Sequence, residues 1–269
     1  MRFVTCLVDG AEVVGVEAEG AIHRTQFASL IDLIASGEQP TAGEAVTPTR
    51  LLAPIPRPGK ILGSGVNFKN HLDENPNGVL PNQPFFFSKL SSSVIGHGDE
   101  IVIDAPERQV DYEVELGVVI GRPARNVDES RALDHVFGYT VVHDVSARDI
   151  QFVDQQVTIG KGLDTFCPLG PAVVTADEIS DVNNLRLRTE LNGEVMQDGS
   201  TADWLFSIPY LISYLSGFFT LEPGDIVTTG TPAGVGCFRN PARYLSPGDV
   251  VSVEVEGVGT LTNTVVAGY

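Results

Sequence analysis

Residues 110–121, with the sequence VDYEVELGVVIG, constrain the fold more than any other part of the chain. Apolar side chains at the even-numbered positions alternate strictly with Asp111, Glu113 and Glu115, followed by a glycine. Successive side chains of a β-strand point to opposite faces, so the segment predicts a strand with one apolar face and one face that carries three carboxylates.

The carboxylate face of this strand allows two interpretations. A half-exposed strand of an acidic protein would place the carboxylates in solvent. Alternatively, a cation lies between them, because neighbouring like charges on one face repel. Neither His nor Cys occurs within residues 110–121, so any ion there would be a hard, oxygen-preferring one such as Mg²⁺, Mn²⁺ or Ca²⁺ rather than zinc.

Turn signals at short intervals extend the β pattern over most of the chain. Asn192-Gly193 and the two matching turns Pro223-Gly224-Asp225 and Pro247-Gly248-Asp249 are examples. Helices are predicted at few places, around residues 67–74, 145–153 and 208–215. The chain is therefore predicted to be a mixed α/β protein in which β structure predominates.

Prolines at positions 54, 56 and 58, followed by Gly59, form a stiff connector. Before it, short strands surround one helix, whose apolar face includes Leu30 and Ile34 and which Gly37 closes. We therefore predict a small N-terminal domain over residues 1–55 and a main domain over residues 56–269.

Charge and cysteine content restrict the partners and the compartment. The 17 Lys and Arg against 35 Asp and Glu leave a net charge of −18, which argues against a nucleic-acid or membrane-surface partner. The three cysteines show no Cys-x-x-Cys spacing, and Asp9 and Glu12 interrupt any signal-peptide core, so a reducing cytoplasmic setting is expected. The uncharged run 204–221 contains Pro209 and Gly217, and its apolar spacing predicts a helix packed on a core rather than a membrane span.

A second chemically informative segment, GYTVVHDVSARDIQ, covers residues 138–151. An apolar strand ends at Asp144, and a short helix follows, for which Ser146 is a plausible cap. Arg148 and Gln151 stand at i and i+3 and would project together beside Asp144, as a cationic fork and an amide next to a possible metal ligand. The alternative is a surface Arg–Gln pair and an Asp in a turn.

Two further segments contain candidate site residues. His71 and Glu74 are spaced i, i+3, which would make the imidazole a stronger general base, although a helix-surface ion pair has the same spacing. Residues 230–236, GTPAGVG, form a glycine-rich loop whose exposed N–H groups would suit a carboxylate, or a tight turn without a ligand. Lys161 stands between two glycines, an exposed and mobile setting from which its ammonium could reach a site.

Taken in order, these segments resemble the fumarylacetoacetate hydrolase superfamily over roughly residues 56–266. The motifs that carry the resemblance are GVNF followed by HLDE, the strand DYEVEL, the helix start DVSARDIQ, the loop GKGLD and the loop TGTPAGVG. The resemblance implies a β-rich roll of mixed sheets with a small N-terminal α/β domain, a homodimer, and a compact prokaryotic type similar to acylpyruvate hydrolases and oxaloacetate decarboxylases.

The resemblance also implies roles for individual residues. Glu113, Glu115 and Asp144 match ligands of Mg²⁺ or Mn²⁺, whereas Asp111 does not. His71 and Glu74 match a catalytic dyad on a segment that orders over the substrate. The remaining matched positions are a catalytic lysine and three substrate-binding residues, namely Lys161, Arg148, Gln151 and Thr231.

These roles imply an enzyme that acts on a small 2-oxo acid. A 2-oxo acid can chelate a divalent ion, which then stabilises an enolate. We expect cleavage of a C–C bond in a 2-oxo or 2,4-dioxo acid, as in acylpyruvate or fumarylpyruvate hydrolases and oxaloacetate decarboxylases. An isomerase or decarboxylase of the 2-hydroxyhepta-2,4-diene-1,7-dioate type is the alternative, and a non-catalytic metal-dependent binding protein is a more distant one.

Overall fold

A computed structural model describes residues 1–153 and 156–268 of the chain. Strands predominate in the described part, as the alternation and the turn signals predict, and the mixed α/β class is confirmed. The strands are β1 (Arg2–Val8), β2 (Ala11–Ala18), β3 (Ala21–Arg24), β4 (Ala45–Val46), β5 (Arg50–Leu52), β6 (Ile61–Ser64), β7 (Phe86–Lys89), β8 (Val94–Ile95), β9 (Glu100–Ile103), β10 (Val110–Asp111), β11 (Val114–Ile120), β12 (Val136–His143), β13 (Ser146–Ala147), β14 (Cys167–Thr175), β15 (Arg186–Leu191), β16 (Glu194–Ser200), β17 (Ile226–Thr228), β18 (Val250–Val255) and β19 (Gly259–Ala267).

The helices of the described part are short and lie mostly between strands. The α-helices are α1 (Leu30–Ser36), α2 (Lys69–Glu74), α3 (Arg148–Gln151), α4 (Thr158–Lys161) and α5 (Ile208–Ser216). Short 3₁₀ helices cover Ser91–Ser93, Glu129–His135, Ala176–Glu178, Val182–Asn184, Thr201–Asp203 and Gly236–Phe238. All three helices expected after residue 56 are present. Helices α2 and α3 are shorter than their predicted regions, and α5 is one residue longer than its own.

A twelve-stranded mixed sheet forms the main body. Its order is β4-β3-β2-β1-β14-β12-β11-β17-β6-β7, with β5 on β1 and β8 on β14. A five-stranded sheet, β16-β15-β18-β19-β9, packs against it, and β10 and β13 form a separate two-stranded ribbon. Strands from both sides of the proline-rich connector belong to the larger sheet, since β1 pairs with β14. The division at residue 55 therefore stays a prediction.

Strand β11 lies at the centre of this arrangement and is buried along its whole length. Its even-numbered side chains, such as Leu116, join a core cluster with Leu187 and Val253 of the five-stranded sheet. On the other face, Val119 joins a second cluster with Leu30 of α1. The half-exposed interpretation of this strand is wrong, because a sheet and a helix cover its two faces.

The two Pro-Gly-Asp turns share one local design. In each turn the aspartate accepts a hydrogen bond from the backbone N–H three residues earlier, Glu222 N to Asp225 Oδ2 at 2.7 Å and Ser246 N to Asp249 Oδ2 at 2.8 Å. The glycine of each turn has a positive φ, 85° and 97°, which a residue with a side chain rarely adopts. The sequence likeness therefore reflects a repeated turn, as predicted.

The helix ends follow the sequence signals in all but one case. Gly37 closes α1 with φ 65°, as predicted. Helix α5 buries Ile208, Leu211, Ile212 and Leu215, and none of the helices in the described ranges is long and apolar enough to cross a membrane. Ser146 does not cap α3, because its hydroxyl donates instead to the Asp144 carbonyl and Ala147 occupies the cap position.

Candidate active site

Three carboxylates converge where β11 and β12 pair. Glu113, Glu115 and Asp144 each offer an oxygen, and these oxygens lie within 4.8 Å of one another. The antiparallel pairing of Val114 with His143 places Asp144 beside Glu113, and the Asp144 N–H donates to the Glu113 carbonyl at 2.9 Å. The strand period of two then puts Glu115 on the same face as Glu113.

The positions of these carboxylates make them electrostatically unequal. Burial raises the pKa of Glu115 well above its usual range, and the charges of Asp144 and Glu113 raise it further. Burial also acts to raise the pKa of Glu113, but Lys161 and Arg148 outweigh it and lower this pKa to about 2. Glu113 is thus held as an anion, whereas the charge of Lys161 lowers the pKa of Glu115 by too little to offset burial and the two neighbouring carboxylates.

The charge balance of the buried group fits a divalent cation. The group consists of four carboxylates and three cations, namely Asp111, Glu113, Glu115, Asp144, Lys89, Arg148 and Lys161. With all four carboxylates ionised, one negative charge is left in excess. A divalent ion, which would favour the ionised form of Glu115, would leave one positive charge, which suits an anionic substrate. The three converging ligands offer only carboxylate oxygens, so the residues fit a hard ion such as Mg²⁺ or Mn²⁺.

Lys161 lies within this group, at the end of α4. Its ammonium donates to Glu113 Oε2 at 2.7 Å and to Asp144 Oδ2 at 2.5 Å, and the residue is 3% exposed. The prediction of an exposed, mobile lysine is therefore wrong. The flanking glycines serve close packing instead, because a Cβ at Gly160 would lie 2.8 Å from the backbone nitrogen of Gln151.

Arg148 connects three side chains of the site. Its Nε donates to Asp111 Oδ2 at 2.9 Å, its Nη2 to Glu113 Oε1 at 2.6 Å and its Nη1 to Gln151 Oε1 at 2.8 Å. The predicted Arg148–Gln151 pairing is confirmed. The surface-pair alternative is wrong, because Arg148 is buried.

Asp111 lies outside the group of three ligands and has a structural partner. Its carboxylate accepts the N–H groups of Gly236 at 2.6 Å and Cys237 at 3.0 Å, in addition to the Arg148 guanidinium. Asp111 thereby fastens the end of the glycine-rich loop to β10.

The His71–Glu74 pair is formed within α2. The His71 Nδ1 lies 2.6 Å from Glu74 Oε1, and the two side chains are 14% and 19% exposed. The other Glu74 oxygen accepts the Gly234 N–H at 2.8 Å, so the helix is tied to the glycine-rich loop. A carboxylate on Nδ1 favours the tautomer in which Nε2 is the free, basic nitrogen.

The glycine-rich loop does receive carboxylates, but they belong to the chain itself. Gly230 N–H donates to Glu115 Oε2 at 3.0 Å, and Gly234 and Gly236 bind Glu74 and Asp111. The expectation that these amides hold a substrate carboxylate is therefore wrong for these three groups. Thr231 remains as the loop residue that lines the cavity, and its hydroxyl accepts from Gln197 Nε2 at 2.8 Å.

A cavity of about 140 Å³ is lined by seven of the nine predicted site residues. The other two, Glu74 and Asp144, are not in its lining but bond to His71 and Lys161, which are. Its polar lining includes His71, Glu113, Glu115, Arg148, Gln151, Lys161 and Thr231. Its apolar lining, here called the apolar wall, consists of Val66, Phe85, Phe87 and Val157. A Cβ at Gly63 of β6 would overlap the Phe87 ring, and one at Gly65, just after this strand, would overlap the Phe85 ring, so these glycines leave room for the wall.

A larger groove of about 630 Å³ lies elsewhere, beside Trp204 and Tyr210. Among the described residues that line it, Glu129 is the only carboxylate and no Lys, Arg or His is present. The smaller cavity, which is lined by two of the buried carboxylates, two of the buried cations and His71, is therefore the candidate active site.

Sequence analysis missed two residues that build the site. Lys89, with its side chain 0% exposed, reaches Asp144, and its position within the apolar run FFFSKL was the available signal. Asn67 belongs to a motif but was given no role. Its side chain bonds Phe206 and Thr229, which fixes the start of the segment that carries His71.

Several known proteins are similar to this chain in sequence or in structure. The sequence signature described as "Fumarylacetoacetate (FAA) hydrolase C-terminal" matches residues 60–266. A relative from Xenopus laevis, "Oxaloacetate tautomerase fahd2, mitochondrial", is 48% identical over 218 residues, which is 80% of this chain and 68% of that protein.

Two solved structures share the fold over the whole of both chains. A fumarylacetoacetate hydrolase from Exiguobacterium antarcticum is 37% identical with a TM-score of 0.91 and covers 100% of each chain. A maleylpyruvate hydrolase from Sphingobium sp. SYK-6, solved with manganese and pyruvate, is 29% identical with a TM-score of 0.79 and the same coverage. The chain therefore belongs to the fumarylacetoacetate hydrolase superfamily.

Proposed function

We propose that the protein is a divalent-metal-dependent enzyme that interconverts the keto and enol forms of oxaloacetate or a similar small 2-oxo acid. The observation that carries this proposal is the presence of the three-carboxylate group, the His71–Glu74 pair and Lys161 around one small cavity. The 48% identity with an oxaloacetate tautomerase favours this reaction. Bound by Glu113, Glu115 and Asp144, Mg²⁺ or Mn²⁺ would supply stabilisation of the negative charge that develops on the substrate.

Tautomerisation moves one proton between two substrate atoms. A base removes a proton from C3, the C2–C3 double bond forms, and an acid delivers a proton to the C2 oxygen. His71 is the base, because Glu74 occupies its Nδ1 and leaves Nε2 basic. Lys161 is the acid, and both groups exchange protons with solvent before the next turnover.

Arg148 suits the second carboxylate of a dicarboxylic substrate. A guanidinium has five N–H donors, of which the contacts with Asp111, Glu113 and Gln151 use three. The remaining donors, together with Gln151 and Thr231 in the cavity lining, would bind the carboxylate that does not lie beside the metal ligands.

A second candidate is hydrolytic C–C cleavage of a 2,4-dioxo acid that carries an apolar tail. The apolar wall favours it, because oxaloacetate has no apolar group to place against Phe85 or Val157. In this reaction His71 takes a proton from water, and the hydroxide adds to the C4 carbonyl. The C3–C4 bond then breaks to give a carboxylic acid and the enolate of pyruvate, and His71 returns its proton to C3 to form pyruvate. The similarity to a maleylpyruvate hydrolase structure supports the same candidate.

One set of assays separates these reactions. Metal-free protein is supplied with Mg²⁺ or Mn²⁺, the ultraviolet absorbance of enol-oxaloacetate follows tautomerisation, and a coupled assay follows pyruvate released from oxaloacetate or from acylpyruvates. Pyruvate from oxaloacetate would indicate a decarboxylase, and pyruvate from acylpyruvates a hydrolase. A substrate panel including hydroxydienoates tests the isomerase alternative, and no turnover of any substrate would indicate a binding protein.

Variants of two histidines test the assignment of the base. His71→Gln should lower kcat by roughly 10²- to 10⁴-fold, the range for loss of a general base. His97→Gln is the matched control, because His97 lies outside the cavity and accepts the Thr262 N–H at 3.2 Å. Equal kcat values in the two variants would contradict the role of His71.

We propose in addition that the protein is a homodimer. Large apolar side chains near α3 and α4 are exposed, with Phe152 at 64%, Val153 at 83%, Ile159 at 61% and Leu90 at 45%. Exposed apolar residues grouped in this way are typical of an interface between protein copies. Light scattering should give twice the chain mass for the wild type and a single chain mass for Ile159→Glu.

The proposed location is a reducing compartment, with the cytoplasm as our prediction for this chain. All three cysteines are free, and Cys6 and Cys167 are buried. The relative from Xenopus laevis is named as mitochondrial. Fractionation of the source cells with antibodies against the protein decides between the two compartments.

A further inference from the structure

We infer that Lys89 is a positioning residue of the site, which holds Asp144 and the helix that carries Lys161 in one fixed geometry. This role rests on the proposed metal site, since Asp144 is one of its three ligands. Lys89 itself is absent from the cavity lining, so it acts through its two neighbours.

All three donors of the Lys89 ammonium are used. Its Nζ donates to Asp144 Oδ1 at 2.5 Å, to the Lys161 carbonyl at 2.5 Å and to the Val145 carbonyl at 3.3 Å. The side chain is 0% exposed. A buried ammonium is stable only when its charge and its N–H groups are compensated, so these contacts leave Lys89 a single position.

The first consequence concerns the orientation of Asp144. Lys89 holds Oδ1, while Oδ2 faces Lys161 at 2.5 Å. With one oxygen fixed by a residue behind the site, the carboxylate plane cannot rotate freely, and the other oxygen is directed towards Lys161, whose ammonium also binds Glu113. Partners behind a metal ligand orient it in this way in many metalloproteins.

The second consequence concerns the backbone that carries Lys161. The segment from residue 157 to residue 165 begins and ends with β-branched residues in the left-handed region, Val157 at φ 66° and Thr165 at φ 69°. Such residues are strained there, and the conformation persists only where surrounding contacts fix it. Thr165 is tied by its hydroxyl, which accepts the Val102 N–H at 2.9 Å. Lys89 fixes the middle of the segment by donating a hydrogen bond to the Lys161 carbonyl.

One ammonium therefore connects the side chain of a metal ligand to the backbone of the catalytic lysine. Loss of Lys89 would free an Asp144 oxygen and release the Lys161 carbonyl at the same time. The distance between Lys161 Nζ and Asp144 Oδ2 depends on the position of the Asp144 carboxylate and on that of the Lys161 backbone. Because Lys89 holds both, it sets the spacing between the proposed acid and the proposed metal.

The test measures Mn²⁺ binding to the metal-free full-length protein by electron paramagnetic resonance. Lys89→Met keeps the length of the side chain and removes the donors. Lys60→Met is the matched control, because Lys60 also pairs with an aspartate, Asp225 at 2.7 Å, but this aspartate is not one of the three proposed metal ligands. Circular dichroism and thermal melting report whether each variant folds.

Lys89→Met should weaken Mn²⁺ binding roughly 10- to 100-fold and change the spectrum of the bound ion, as expected for loss of a partner behind a metal ligand. Lys60→Met should bind Mn²⁺ as the wild type does. A purely structural role would lower the melting temperature but leave the Mn²⁺ spectrum of the folded protein unchanged. Wild-type affinity and spectrum in folded Lys89→Met would overturn the proposal.

If Lys89→Met does not fold, Lys89→Arg tests the positioning role of Lys89 instead. It keeps the charge, but a planar guanidinium cannot direct three donors to the same oxygens, so Mn²⁺ binding should again weaken and the spectrum change. An unchanged spectrum and affinity would overturn the positioning role. A wild-type protein that binds no Mn²⁺ would overturn the proposed metal site together with this role, whereas binding unaffected by Lys89 variants would overturn this role alone.

Discussion

Replacing Glu74 by glutamine separates the two tasks that this carboxylate performs in the structure. One oxygen accepts from His71 at 2.6 Å, and the other accepts the Gly234 N–H at 2.8 Å. A glutamine has nearly the same shape, and its one carbonyl oxygen can still accept from Gly234. Its NH2 group then faces His71 Nδ1, so it can neither accept from the imidazole nor stabilise its protonated form by charge.

The size of the effect follows from the hydrogen bond that loses its charge. A hydrogen bond to a charged group contributes about 1.5–3 kcal/mol, and this pair is largely shielded from solvent, with side chains 14% and 19% exposed. If that stabilisation is present when His71 has taken the substrate proton and absent before, kcat should fall roughly 10- to 150-fold, because about 1.4 kcal/mol corresponds to a tenfold change in rate. KM should change little, since the tie between α2 and the loop is retained.

The assay is steady-state kinetics of Glu74→Gln and Glu74→Ala at saturating Mn²⁺, on the best substrate of the panel. Glu74→Ala removes the tie to Gly234 as well, so its KM should rise in addition to the loss in kcat. Glu129→Gln, in the separate groove beside Trp204, is the control and should match the wild type. A wild-type kcat for Glu74→Gln would refute the reasoning that the charge on Glu74 supports His71.

Three other predictions concern the metal, the substrate and stability. Asp144→Ala should lose bound Mn²⁺ and turnover while keeping its far-UV circular dichroism, and full activity of this variant or of exhaustively EDTA-treated protein would contradict the metal assignment. Arg148→Lys should raise KM, because an ammonium cannot reproduce the forked donors with which a guanidinium binds the substrate carboxylate. It should lower kcat as well if that contact strengthens in the transition state. Wild-type kinetics would show that the guanidinium is not needed. Burial raises the pKa of Asp249, but hydrogen bonds from Arg243 and Asn192 outweigh it and hold this pKa below its usual range. The ionised carboxylate therefore stabilises the fold fully above the unfolded-state pKa of about 3.9, and this stabilisation is lost as the pH falls through the folded-state pKa. Asp249→Asn should therefore lower the free energy of unfolding, measured by urea denaturation, more at pH 7 than at pH 3. An equal loss at the two pH values would contradict this.

The sequence predicted the parts of the site that depend on local periodicity. The strand period placed Glu113 and Glu115 on one face, and the helical spacing placed Arg148 beside Gln151 and His71 beside Glu74. These relations depend on residues a few positions apart, whose relative direction is set by backbone geometry alone. The resemblance to a family supplied the link between them and Asp144.

The sequence did not predict which groups are buried together across the sheet. Lys161 was expected in solvent, because glycines on both sides of a lysine are equally consistent with a mobile loop and with close packing. No role was predicted for Lys89, because its partner Asp144 is 55 positions away and the contact between them depends on how β7 and β12 are placed in the sheet. The amides of residues 230–236 were expected to be vacant, because the carboxylates that bind them come from three other elements.

Because it binds those carboxylates, the glycine-rich loop contacts three separate parts of the proposed site. Its amides hold Glu115 of the proposed metal site, Glu74 of the proposed catalytic pair and Asp111 behind Arg148. A substitution that shifts the loop would disturb all three at once, so the loop offers little freedom for evolving new activities. The apolar wall makes none of these bonds, so the range of accepted substrates should change through the wall while the chemistry stays constant.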